Sequence, residues 1–198
     1  MTEAARANNA ERGSLVLVVM GVSGAGKTTV ARELARRLGW AFEEGDTLQP
    51  AANVAKMHAG VPLTDADRKP WLAAVAAWID HQLAAGLPGV ITCSALKRAY
   101  RNVIIGQRQR VRLVYLRGTP GLLADRMANR EGHFMPPSLL PSQLASLEVP
   151  GPDENPLIVD VTPSPGKIAE SIIATLNSTW TTEQLGNTEA SSGERHNF

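Results

Sequence analysis

Apolar residues come in two alternating rhythms along this chain. Leu15-Val16-Leu17-Val18-Val19-Met20 is an unbroken apolar run, the pattern of a strand buried on both faces of a parallel sheet. Beyond a glycine-rich stretch, Val30, Ala31, Leu34, Ala35 and Leu38 recur at helical spacing, and Gly39 supplies a stop. Trp40 to Glu44 reads as a short second strand, Pro50 to His58 as a short helix closed by Gly60, and Thr64 to Arg68 as an acidic turn. Pro70 suits the first turn of a long helix, where its missing N–H costs nothing. Trp71, Leu72, Val75, Trp78, Ile79 and Leu83 form the apolar face of that helix. Val90 to Cys93, Val111 to Leu116 and Leu157 to Val161 read as three further strands. Between them fall a basic helix from Lys97 to Ile105 and a helix opened by Thr119-Pro120 that runs through Arg130. Gly132 to Pro152 is rich in Pro and Gly, with one helical piece near Pro137 to Ser146. Ser164-Pro165 opens a last helix with Ile168, Ile172, Ile173 and Leu176 on one face.

Strands alternating with helices predict an α/β domain over residues 14–177, with a doubly wound, five-stranded parallel sheet flanked by helices. Residues 1–13 and 178–198 are polar and are expected to be disordered tails. Binding sites in such sheets gather at the carboxyl ends of the strands. Asp46, Ser94, Arg117 and the Thr162-Pro163 turn fall at such ends.

The stretch between the first strand and the first helix is Gly21-Val22-Ser23-Gly24-Ala25-Gly26-Lys27-Thr28. It fits G-x-x-x-x-G-K-[ST], the phosphate-cradling P-loop, and so predicts the P-loop NTPase fold. Its glycines let backbone N–H groups turn inward as a nest for phosphate oxygens, aided by the helix dipole. Lys27 can then reach the outer phosphates, and the Thr28 hydroxyl can enter a Mg²⁺ shell, with Thr29 next in line. The chain is expected to bind a nucleoside triphosphate, ATP, with Mg²⁺.

Composition narrows the remaining choices. The chain has 198 residues and a formal net charge of +1, which suits one sizeable domain and points to neither nucleic acid nor an acidic membrane surface. No apolar run is long enough to span a bilayer, and the first thirteen residues do not read as a signal peptide. Cys93 is the only cysteine, which excludes an internal disulfide or a cysteine-rich metal site. A cytoplasmic protein is expected.

No strand ends cleanly in the Asp that supports Mg²⁺ in many ATPases, and a guanine-reading N-K-x-D is absent. These absences leave small-molecule kinases, in which a mobile lid brings arginines onto the phosphates. Arg126 and Arg130 share one helix face and lead into Gly-His-Phe-Met-Pro-Pro, so a lid is expected at about residues 128–148. Asp46, after strand 2, could bond an attacking hydroxyl, accept its proton, support Mg²⁺ through water, or simply cap the next turn.

Several longer segments closely resemble the gluconokinases, sugar-acid kinases of the P-loop class. They are Met20 through Thr28, Gly45-Asp46, Lys56-Met57 with Gly60-Val61-Pro62-Leu63, and Asp65-Ala66-Asp67-Arg68-Lys69-Pro70-Trp71-Leu72. Cys93-Ser94-Ala95-Leu96-Lys97-Arg98-Ala99-Tyr100-Arg101, Arg130-Glu131-Gly132-His133-Phe134-Met135-Pro136, Ser142-Gln143 and Leu147-Glu148-Val149-Pro150 complete the set. The resemblance implies phosphorylation of D-gluconate by ATP with Mg²⁺, and commonly a homodimer. It implies catalytic roles for Lys27, Asp46, Arg126 and Arg130, and a substrate pocket built from Asp46, Arg68, Lys97, Arg101 and His133. An anionic polyol calls for such cations and hydrogen-bonding groups. Helix geometry lets only some of the 97–101 basic cluster face inward, so a solvated surface stays open for Arg98 and Arg101. One departure is Gln49, where the family usually has His, a group that titrates near neutrality as Gln does not. Kinases for shikimate or nucleoside monophosphates, and a non-catalytic nucleotide-binding switch, are the competing readings.

Overall fold

The computed structural model describes residues 14–128 and 139–192. Its five strands are β1 (Val16–Met20), β2 (Ala41–Glu43), β3 (Gly89–Thr92), β4 (Val111–Arg117) and β5 (Leu157–Asp160). They form one parallel sheet in the order β2-β3-β1-β4-β5. Register sets Val19 beside Thr92 and Met20 beside Tyr115. The carboxyl ends of the central strands therefore open onto one rim, where the P-loop leaves β1.

The helices are α1 (Lys27–Leu38), α2 (Ala51–His58), α3 (Asp65–Ala84), α4 (Arg98–Ile104), α5 (Pro120–Ala128), α6 (Leu140–Ser146) and α7 (Pro165–Ser192). The unbroken apolar run of β1 divides by parity, because successive side chains point to opposite faces. Leu17 and Val19 join Val30, Leu34, Leu123, Ile168 and Ile172 from α1, α5 and α7 in one core. Val16, Val18 and Met20 join Trp71, Val75, Ile79 and Ile104 from α3 and α4 in the other. All five β1 residues are fully buried, each contributing about 1.5–3 kcal/mol by leaving water.

Two element boundaries differ from the sequence reading. The long helix begins at Asp65, not at Pro70. A capping box starts it: the Asp67 N–H donates to Thr64 Oγ1 at 3.2 Å, and the Thr64 N–H donates to Asp67 Oδ2 at 2.9 Å. That reciprocal pair outweighs the proline, which is held inside the helix. At the other end of the chain, apolar periodicity stops at Leu176, yet the helical backbone of α7 continues to Ser192. No proline interrupts that polar stretch. Of the expected lid, residues 129–138 lie outside the described residues, and with them Arg130 and His133.

Candidate active site

The P-loop turns where its sequence predicts. Gly24 has φ +81°, and a Cβ there would lie 2.8 Å from the Leu123 carbonyl oxygen, so the turn needs a residue with no side chain. Val22 and Ala25 are buried beneath the loop, where they shape the turn and do not line the site. Ser23, Gly24, Gly26, Lys27, Thr28 and Thr29 border a cavity of about 380 Å³. Lys27 donates from Nζ to the Val22 carbonyl at 3.3 Å, and the Ser23 N–H donates to Gln143 Oε1 of α6 at 2.7 Å.

Asp46 borders the same cavity from a single 3₁₀ turn, Gly45–Leu48, that follows β2. The turn is held from two sides. The Gly45 N–H donates to Thr92 Oγ1 at 3.1 Å, and the Trp71 indole Nε1–H donates to the Gly45 carbonyl at 2.7 Å. The Thr92 hydroxyl in turn donates to the Glu44 carboxylate. Cys93 lies near Asp46 but is no nucleophile: burial, with the Asp46 charge added, pushes its thiol up to about 12.

A charged cluster forms another part of the wall. Lys97 Nζ donates to both Asp65 oxygens, at 2.9 and 3.0 Å, and Tyr100 donates its hydroxyl to Asp65 as well. Arg68 donates to the Leu63 carbonyl and approaches Asp65 at 3.7 Å. The Tyr100 hydroxyl, and then Lys97, hold the Asp65 carboxyl below its ordinary value. The cluster sums to one positive charge, suited to a monoanion. Gln49 also borders the cavity; its Oε1 accepts from Asn53 Nδ2 at 2.9 Å. Arg126 reaches the cavity while donating to the Val161 carbonyl at 2.7 Å.

Arg101 is a correction. Its side chain is 2 % exposed and ion-paired with Glu154 at 2.5 Å. Nη2 also donates to Glu154, at 2.9 Å, and Nη1 donates to the carbonyls of Ala95, Leu96 and Glu148 at 3.0–3.1 Å. A guanidinium buried and paired in this way is not presented to a substrate carboxylate. Arg101 instead ties the segment after α6 to the start of α4, helped by Glu148, whose N–H donates to the Leu96 carbonyl at 2.9 Å. The site also contains members that periodicity could not identify. Trp71 reads as core by spacing, and nothing local marks Gln143, Asp65 or Tyr100 as lining a cavity with the P-loop.

Among the described residues, no group of three or more His, Cys, Asp or Glu could hold a metal ion, and no helix is long and apolar enough to cross a membrane. A central-strand P-loop, a carboxylate on a neighbouring turn and a ring of cations around one cavity define a P-loop phosphotransferase.

Known proteins narrow that class. Residues 16–150 match the family model described as "AAA domain". The chain is 57 % identical over 157 residues to the gluconokinase of Gluconobacter oxydans, covering 79 % of this chain and 88 % of the other. The crystal structure of a gluconokinase from Sinorhizobium meliloti superposes with a TM-score of 0.76 at 42 % identity, over 87 % of this chain and 97 % of that one. An unliganded sugar kinase from a Janibacter species gives 0.78 at 45 % identity, over 83 % and 95 %. The chain belongs to the gluconokinase family, whose P-loop makes it an ATP-dependent kinase.

Proposed function

We propose that this protein transfers the γ-phosphoryl group of ATP to the 6-hydroxyl of D-gluconate, giving ADP and 6-phospho-D-gluconate in the cytoplasm, as a homodimer. The observation that carries this reading is the shared cavity, which sets Lys27, Asp46 and the Asp65–Arg68–Lys97–Tyr100 cluster around one volume. Lys27 and Arg126 neutralise charge on the transferring group, since phosphoryl transfer is mostly positioning and electrostatics. Arg68 and Lys97 receive the carboxylate, while Asp65, Tyr100 and Gln49 offer hydrogen bonds to the polyol. Asp46 orients the attacking hydroxyl and accepts its proton. Arg130 is assigned to the phosphates from its helical spacing with Arg126, and His133 to the sugar acid from the resemblance. The Thr28 hydroxyl is a hard oxygen ligand, and the lack of a carboxylate cage among the described residues suits Mg²⁺ held mainly by the nucleotide, whose charge the ion would offset.

An ADP-release assay across gluconate, related aldonates, shikimate and nucleoside monophosphates tests the assignment, with gluconate expected to give the highest kcat/KM. Asp46→Asn is expected to lower kcat by about 10²–10⁴-fold, the usual range for general-base assistance, with little change in ATP affinity. A variant that loses ATP affinity and keeps kcat would move Asp46 to the nucleotide or metal.

A further inference from the structure

We propose that Trp71 and Thr92 are positioning residues for phosphoryl transfer, holding the Gly45 backbone on both sides so that Asp46 faces the acceptor hydroxyl. The proposal rests on the Asp46 role given above. Three independent features converge on residue 45. Its Cα packs so tightly on β3 that a Cβ would stand 1.9 Å from the Thr92 carbonyl oxygen, so any side chain would push the turn off the sheet. Its N–H is taken by Thr92 Oγ1 at 3.1 Å and its carbonyl by Trp71 Nε1 at 2.7 Å. The Gly45 carbonyl belongs to the peptide plane that carries the Asp46 nitrogen, so holding that oxygen also orients the Asp46 backbone.

The polarity of the arrangement is fixed by its chemistry. Thr92 has one hydroxyl proton, and it goes to the Glu44 carboxylate. Its lone pairs are left to accept from Gly45. The indole is a donor only, so Trp71 can serve only the carbonyl. Trp71 and Thr92 are 2 % and 1 % exposed, so water does not replace either bond. Packing alone does not call for an indole N–H at position 71, because phenylalanine would fill an apolar site without placing a donor beside Gly45. The donor is the part of Trp71 that the core does not use.

Catalysis is sensitive to such placement, a misplacement of about 1 Å costing on the order of 10²-fold. The test compares Trp71→Phe, Thr92→Val and Thr92→Ser, each alone and combined with Asp46→Asn, by kcat, both KM values and thermal melting. Trp71→Phe and Thr92→Val are expected to lower kcat by about tenfold or more with the ATP KM unchanged. Thr92→Ser keeps both hydrogen bonds and should keep kcat. In the Asp46→Asn background the further loss should fall below about twofold, because residues that act through one group are not additive. Faster hydrogen exchange at the Gly45 amide in Thr92→Val would report the loosened turn directly. Equal losses in both backgrounds, or full activity in Trp71→Phe and Thr92→Val, would overturn the proposal. If Trp71→Phe does not fold, the valine and serine variants at 92 decide the matter. If Asp46→Asn alone keeps the parent kcat, the Asp46 role fails and the positioning role with it, an outcome read before either supporting residue is touched.

Discussion

Lys97 and Arg101 stand four residues apart in one basic segment, yet they do different work. Lys97 is about one-third exposed and engages Asp65 at the cavity, whereas Arg101 is enclosed by Glu154 and three carbonyls. Lys97→Ala is therefore expected to raise the gluconate KM while leaving the ATP KM unchanged in steady-state kinetics. Arg101→Met should instead lower stability by about 3–5 kcal/mol, the cost of breaking a buried ion pair from one side, with the gluconate KM unchanged. Chemical denaturation measures the loss, and an Arg101 variant of normal stability with a raised gluconate KM would return it to the substrate. The pair also has a pH signature. The Arg101 hydrogen bond holds the Glu154 carboxyl below its ordinary 4.5. Its contribution to stability is thus present above that value and lost as the pH falls through the depressed one. From sequence, both residues are cations of similar placement. Only the fold reveals that one of them is enclosed.

Among the elements, α3 shows how a short polar signal can outrank a breaker. Its capping box begins the helix five residues ahead of Pro70, which brings Asp65 and Arg68 onto the helix and sets their side chains toward the cavity. Thr64→Ala is expected to cost about 1 kcal/mol, as for other lost N-caps, and to raise the gluconate KM by loosening Asp65 and Arg68. Thermal melting and steady-state kinetics read the two effects. Hydrogen bonds from Lys56, then Thr64, hold the Asp67 carboxyl at about 2, so this helix start keeps its capping until the pH falls toward that value. The strands, the P-loop helix and the helical face of Trp71, Val75 and Ile79 were all legible from periodicity, because burial against a flat sheet repeats along the chain. The start of α3 was written in Thr64 and Asp67 but was masked by the stronger reputation of proline. The length of α7 left no apolar trace, since its last turns are polar.

At the scale of the whole molecule, the cavity is assembled by sheet order. Placing β3 beside β1 brings the turn after β2, the Asp65 end of α3 and the Lys97 segment to the rim occupied by the P-loop. Glycine spacing and the lysine made the nucleotide side readable, because a P-loop is local in sequence. The wall of Arg68 and Lys97, which we assign to the acceptor, was approached only through resemblance, as its residues come from separate elements that no local pattern relates. The frame around Gly45 and the reach of Gln143 were not readable at all, for they depend on which strands become neighbours.

That reach has a thermodynamic consequence. Gln143 occupies the Ser23 N–H at 2.7 Å, on a loop whose N–H groups face phosphate oxygens when nucleotide is bound. Gln143 Oε1 and a phosphate oxygen would then compete for that N–H. A hydrogen bond that a ligand must displace opposes the binding of that ligand. Gln143→Ala is expected to tighten ATP binding by about two- to tenfold, the span of a neutral hydrogen bond, and Gln143→Glu to weaken it by adding charge of the wrong sign. Calorimetric titration with a non-hydrolysable ATP analogue reads both, and weaker binding by the alanine variant would place Gln143 on the nucleotide itself. Gln143 belongs to α6, and the segment after that helix is tied through Glu148 to Leu96 and Arg98, beside Lys97. Displacing Gln143 would therefore be felt at the start of α4, next to the Lys97 that we assign to the sugar acid.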